Sequence, residues 1–268
     1  MAENLINDLW KEALTFEMDE NYKLSVGALD LYINLQEKEW QFRHSYATQD
    51  EIQNERKLQL SKIKTVNSNE LVVTRFIHSD NVDSLHIKPR LANRNIVAKP
   101  YSPILLPSQQ EITIYISTPV WLAISSGTMN EPLVEMPTFQ LSDTWFGPKP
   151  HIGELCYSSH FTGRIDLNVL PKRMSRVITP VRITNNGEGN LKLEKISIPC
   201  DYLAIYQNKT NELWTPTLSV IRHAEHNKTE VKIDRTLHPA LAECKKIAEP
   251  RVSDQKGLLS KTIDMLFS

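Results

Sequence analysis

Every one of the 15 prolines in this 268-residue chain lies at or beyond Pro89. They stand at Pro89, Pro100, Pro103, Pro107, Pro119, Pro132, Pro137, Pro148, Pro150, Pro171, Pro180, Pro199, Pro216, Pro239 and Pro250. Proline has no backbone N–H to donate and clashes with the preceding helical turn, so this spacing leaves little room for long helices. The region from 89 to 216 is therefore expected to be strands and turns. The eight glycines are spread too thinly to form a phosphate-cradling loop.

Alternation supports the same reading. In "EITIYISTPVWLAI", Ile112, Ile114 and Ile116 point one way and Thr113, Tyr115 and Ser117 the other, the period of a half-buried strand. Val120 to Ile124 is apolar throughout, as in a strand buried on both faces. "YKLSVGALDLYINLQ", "EWQFRHSY" and "LVVTRFI" also read as strands. "RVITPVRIT" and "LKLEKISI" flank "NNGEGN", where Asn186-Gly187 predicts a hairpin. The phase slip between Leu191/Leu193 and Ile196/Ile198 suggests a bulge near Lys195. A second hairpin is expected around "NKTNE", and "TEVKID" is expected to be the last strand. The polar stretch 47–70 reads as an exposed helix or a long loop, the least ordered internal segment.

Beyond that stretch, helices are expected near the ends: over 2–13, with Leu5, Ile6, Leu9 and Trp10 on one face, and in the tail. There "HPALAECKKIAEP" is bracketed by Pro239 and Pro250, and Leu258, Leu259, Ile263 and Leu266 fall near helical spacing. The expected fold is mainly β, an antiparallel β-sandwich in two sandwich-like lobes with short terminal helices. The expected divisions are 1–145, 146–236 and a helical tail 237–268.

The net charge of −1 argues against binding nucleic acid through overall charge. Cys156, Cys200 and Cys244 are odd in number and far apart, which suits free thiols in a reducing cytoplasm. The acidic start "MAENLINDLWKEALTFEMDE" does not read as a signal peptide, and no apolar run is long enough for a membrane-spanning helix. A cytoplasmic protein without a cofactor is expected.

The stretch "DTWFGPKPHIGELCYSSHFTG" concentrates the chemistry-bearing residues. Cys156 with His151 and His160 is the candidate nucleophile and base, but on a strand His160 lies about 13 Å beyond Cys156. Asp143, His151, Cys156 and His160 are the candidate metal ligands, at spacings that fit no familiar cage. The competing reading makes "GELCYSS" a strand with Leu155 and Tyr157 on one face and Cys156 on the other. Trp145 and Phe146, before Gly147-Pro148, are either a core plug or an anchor for a partner or ligand. Lys172, Arg173 and Arg176 form a basic loop suited to phosphates or anionic lipid headgroups. The apolar face of Leu258, Leu259, Ile263 and Leu266 either packs back on the sheet or docks on another protein.

The order of "NIVAKPYSPILLP", "EITIYIS", "TPVWLAI" and "FQLSDTWFGPKPHIGELCYSSHFTG" resembles a prokaryotic domain-of-unknown-function family, number 432, over roughly residues 20–250. The polar stretch 47–70 and "GLLSKTIDMLFS" look like departures from it. The resemblance implies an accessory role beside small mechanosensitive channels, at the cytoplasmic side of the membrane, and carries over no catalytic residue. The leading expectation is a non-catalytic β-domain protein that binds a partner, either such a channel or a second copy of itself. The alternatives are a metal- or thiol-dependent enzyme centred on 143–160, and a small-ligand or carbohydrate-binding sandwich using Trp121, Trp145 and Phe146.

Overall fold

The computed structural model of the chain describes residues 9–11, 13–48, 58–66, 71–78, 82–127, 131–149, 151–161, 167, 173–224, 229–234 and 241–253. The protein is mainly β: among the described residues, 60% lie in strands and 2% are helical. It divides into two compact units, Met1–Arg90 with Val120–Gln140, and Leu91–Pro119 with Leu141–Ser268. Residues 91–119 thus belong to the second unit, and 120–140 return to the first.

The strands, in chain order, are β1 (Ala13–Thr15), β2 (Asn21–Val26), β3 (Leu29–Gln36), β4 (Glu39–Tyr46), β5 (Gln59–Ile63), β6 (Thr74–Ile77) and β7 (Ser84–Arg90). Next come β8 (Ile96–Pro100), β9 (Ile104–Leu106), β10 (Gln110–Pro119), β11 (Trp121–Ser126) and β12 (Val134–Pro137). The remainder are β13 (Ser142–Lys149), β14 (Ile152–Phe161), β15 (Arg176–Asn185), β16 (Leu191–Leu193), β17 (Ile196–Ile198), β18 (Ile205–Gln207), β19 (Leu213–Trp214), β20 (Leu218–Arg222), β21 (Thr229–Ile233) and β22 (Lys245–Ala248).

The first unit is a sandwich of antiparallel sheets, β5-β2-β3-β4-β6 against β1-β7-β11-β12. Alternation buries Leu24, Leu31, Ile33, Trp40 and Phe42 from one sheet, and Leu85, Ile87, Leu122 and Ile124 from the other. Trp40 Nε1 donates across the core to Ser126 Oγ at 3.1 Å, and Tyr46 OH donates to Pro137 O at 3.1 Å. Both polar tips are thereby satisfied inside.

In the second unit, β15 is central. β10 lies antiparallel along one edge, and β19 and β20 lie parallel along the other, one after the other. This arrangement explains a proline in a central strand. β19 pairs with Val177 and Ile178, and β20 with Val181 to Asn185, so Pro180 sits in the gap where no donor is needed. Pro216 lies in the matching gap between β19 and β20. There Thr215 N donates to Ile178 O at 2.9 Å and Thr215 Oγ1 meets Thr179 Oγ1 at 3.0 Å. A second sheet, β13-β14-β8-β17, has one parallel pair, β14 with β8. Among the described residues, β16 pairs with β9 alone.

Several expectations change. The Asn186-Gly187 turn does not close a hairpin: β10 and β20 occupy both edges of β15 at Val181–Asn185, so β16 goes to β9. Asn185, fully buried, shapes that turn. Its Nδ2 donates to Leu106 O and Gly189 O, each at 3.0 Å, and its Oδ1 accepts from Gly187 N at 3.2 Å. The slip near Lys195 is a change of sheet rather than a bulge, since β16 joins β9 and β17 joins β8. Within 47–70, Gln59–Ile63 is an edge strand on β2 rather than helix or loop. β21 is not the last strand: Lys245–Ala248, expected as helix, pairs with β18. Ala13 also lies in a strand, and the described residues show no terminal helix. Leu5, Ile6, Leu258, Leu259, Ile263 and Leu266 lie outside the described residues. The "NKTNE" hairpin forms as expected between β18 and β19, with Asn208 Oδ1 accepting from Thr210 N and Glu212 N at 3.0 and 2.8 Å.

Candidate functional site

The hairpin of β13 and β14 sorts its residues by parity. Thr144 faces Cys156 and Phe146 faces Glu154 on one side; Asp143 faces Tyr157 and Trp145 faces Leu155 on the other. The first side is turned inward: Phe146 (3% exposed) and Cys156 (0%) pack with Val97 of β8. The second side meets water, with Trp145 48% and Leu155 46% exposed.

Two glycines fix the end of the hairpin. A Cβ on Gly147 would stand 2.1 Å from Ile152 O, so the backbones approach as only glycine allows. The ladder is shifted here, between Phe146 and Lys149. A Cβ on Gly153 would lie 2.6 Å from Trp145 Nε1 and 2.6 Å from Phe146 O. The indole therefore lies against the bare backbone of Gly153, an oriented ring rather than a loose one. A tryptophan about half exposed leaves on the order of 100 Å² of ring in water, worth roughly 2 kcal/mol to whatever covers it.

Beyond the aromatic-aliphatic pair, the same face is edged with polar groups. Arg94 Nη1 lies 3.3 Å from Asp143 Oδ1, and Arg94 Cζ stands 5.4 Å from the centre of the Tyr157 ring. Tyr157 OH bonds Asn93 Oδ1 at 3.0 Å. The Arg94–Asp143 pair is exposed and adds little stability. It sets one cation and one anion on the same face as the apolar Trp145–Leu155 pair.

The residues considered for catalysis or metal binding are not gathered. Cys156 lies inside, its thiol 3.7 Å from Glu154 O. His151 is exposed at the turn before β14. His160 is exposed at the far end of β14 and stacks on Tyr101, ring centres 5.8 Å apart. Asp143 is on the outward face with Arg94. Among the described residues, no group of three or more His, Cys, Asp or Glu is placed to hold a metal ion. Of the other thiols, Cys200 is buried and Cys244 partly exposed. Burial, with Asp201 adding repulsion, pushes Cys200 up to about 12; burial, then Glu212 and Glu243, also raises Cys244.

The basic loop is altered similarly. Arg176 uses its guanidinium on β10, Nε to Ser117 Oγ at 2.9 Å and Nη2 to Ser117 O at 2.5 Å. Burial first, then the Arg173 charge, pushes it down to about 10. Arg176 is thus tied into the sheet rather than offered to an anion; Arg173 is half-buried and Lys172 lies outside the described residues. For the sugar-binding alternative, Trp121 (4%) and Phe146 (3%) are core residues, so neither presents a ring face.

Sequence reasoning set Leu155 on the face opposite Cys156 but did not count it among the partner-binding residues. Its signal was available: it shares parity with Tyr157, opposite to Cys156, and pairs with Trp145 once the hairpin register is set.

No helix among the described residues is long and apolar enough to cross a membrane. Neither the curated proteins nor the solved structures contain a significant match to this chain. A family match covers residues 10–267 and carries the description "Protein of unknown function (DUF432)". It extends beyond the roughly 20–250 expected from the sequence and takes in the terminal "GLLSKTIDMLF". With nearly the whole chain matched, this protein belongs to the DUF432 family.

Proposed function

We propose that this protein is a non-catalytic binding module whose working surface is the outward face of the β13–β14 hairpin. The observation that supports this most is the cross-strand pair Trp145–Leu155, each nearly half exposed, beside a buried Phe146. Rigid aromatics next to an aliphatic neighbour are the groups that concentrate binding energy when a partner excludes water from them. The partner is a protein, and the assembly implied by the family resemblance is a small mechanosensitive channel, met from the cytoplasmic side without insertion into the bilayer.

The test is affinity capture from native membranes with the full chain, followed by mass-spectrometric identification. Wild-type protein is expected to retain a defined membrane protein that Trp145→Ala and Leu155→Asp both lose. Equal retention by folded variants would remove the face from the account. The competing enzymatic reading requires Cys156 to reach solvent, which thiol alkylation tests separately below.

A further inference from the structure

We propose that Asn186 is a modification site: its side-chain amide is set to deamidate through the Gly187 backbone nitrogen, and the fold holds that reaction off with Asn185 as the latch. The site lies on the turn after β15 and is independent of the reading of the β13–β14 face.

The reaction follows from the residue pair. With glycine next in the chain, no side chain hinders attack on the asparagine amide. Gly187 N bonds to Asn186 Cγ, the Cγ–Nδ2 bond breaks, and Nδ2 leaves as ammonia carrying the proton that Gly187 N gives up. Water then opens the cyclic imide at either carbonyl, which leaves aspartate or isoaspartate at 186. Asn186 is exposed, so water reaches its amide and ammonia has a way out.

Against this chemistry stands the hydrogen bonding of the pair, whose backbone polar atoms are all engaged. Asn186 N donates to Arg222 O at 2.9 Å, and Asn186 O accepts from Gln109 Nε2 at 3.3 Å. Gly187 N donates to Asn185 Oδ1 at 3.2 Å, and Gly187 O accepts from Ser108 Oγ at 2.7 Å. The bond from Gly187 N decides the matter. The peptide nitrogen is planar, so the new N–Cγ bond takes the direction of the N–H, straight at Asn185 Oδ1. Imide formation therefore needs Asn185 to give way.

Asn185 is held in place. It is fully buried, and its Nδ2 donates to Leu106 O and Gly189 O at 3.0 Å each. Its Oδ1 also accepts from Arg222 Nη1 at 3.5 Å. Arg222 presses on Gly187 as well, with Nε 2.8 Å from where a Cβ would stand. The missing side chain that makes the pair reactive thus also lets the guanidinium close on it. Deamidation would add a negative charge to the turn. In the isoaspartate form it would also lengthen the main chain by a methylene, directly after the Asn185 position that pairs with Gln110 and Arg222.

The experiment ages the full-length chain in mildly alkaline buffer and follows the peptide holding residue 186 by mass spectrometry. Urea-unfolded wild type is expected to convert at least about tenfold faster than the folded chain, the equivalent of one to two hydrogen bonds. Folded Asn185→Ala is expected to convert roughly fivefold faster than folded wild type, the loss of one net hydrogen bond. Equal rates for folded and unfolded wild type overturn the latch, as does a folded Asn185→Ala variant at the wild-type rate. An unfolded chain that keeps its amide overturns the site itself. If Asn185→Ala does not fold, amide hydrogen exchange at Gly187 in the wild type decides: protection is expected, and exchange at the unfolded-chain rate overturns the latch.

Discussion

Trp145 and Leu155 face each other across β13 and β14 with both side chains nearly half in water, while Phe146, one residue on, is 3% exposed. Neighbours along one strand therefore have opposite duties. Phe146→Ala is expected to cost about 3–5 kcal/mol by opening a cavity against Val97 and Cys156. Leu155→Asp is expected to change stability by no more than about 0.5 kcal/mol, as for a surface site. Urea unfolding of the two variants checks the contrast, and similar losses in both would contradict the parity of the hairpin.

Gly147→Ala must push a methyl group against Ile152 O, 2.1 Å from its ideal position. A loss of about 1–3 kcal/mol is expected from this overpacking. Gly153→Ala adds a second readout. It displaces the Trp145 indole that lies 2.6 Å from the new atom, so the emission of Trp145 shifts along with the melting temperature. A neutral Gly147→Ala variant would show that the hairpin end is not held by backbone approach.

The thiols give a chemical test. Cys156 and Cys200 are both 0% exposed and Cys244 is partly exposed. In the native chain an alkylating reagent is expected to label Cys244 first, slowly because its thiol is raised, and to reach Cys156 and Cys200 only on unfolding. Peptide-level mass spectrometry of timed samples reads this directly. Fast native labelling of Cys156 would reopen thiol chemistry at residues 143–160.

The interior of the first unit predicts a response to alkali. Burial pushes the Tyr46 hydroxyl from the usual 10.0 up to about 12, so between those values the unfolded chain gives up a proton that the folded chain keeps. Stability is then unaffected by this group below pH 10 and falls as pH rises from 10 toward 12. Tyr46→Phe should lose about 1 kcal/mol at neutral pH with its bond to Pro137 O, and should fall less steeply above pH 10. Parallel denaturation curves at pH 7, 10 and 11 separate the two effects.

The β class was legible because its signals are local. Proline spacing, the alternation through Ile112, Ile114 and Ile116, and the Asn208 turn each act within a few residues. Partner choice was not. Asn186-Gly187 has good hairpin chemistry, yet the edges of β15 are taken by strands about 70 residues before and 35 after, and no local preference overrides an occupied edge. The slip at Lys195 looked like a bulge because a change of sheet also reverses the inward phase. At the hairpin of β13 and β14, the opposite faces of Leu155 and Cys156 could be read from alternation. The inward turn of Phe146 and the pairing of Trp145 with Leu155 needed the register, which is set by the shifted ladder around Gly147.

The central claim is that the protein acts by presenting the Trp145–Leu155 face to a membrane assembly. Its most direct measurement is affinity capture from native membranes with full-length wild type and Leu155→Asp side by side. The account predicts one channel protein retained by the wild type and absent from the folded variant; equal retention by both, or no membrane protein with either, contradicts it.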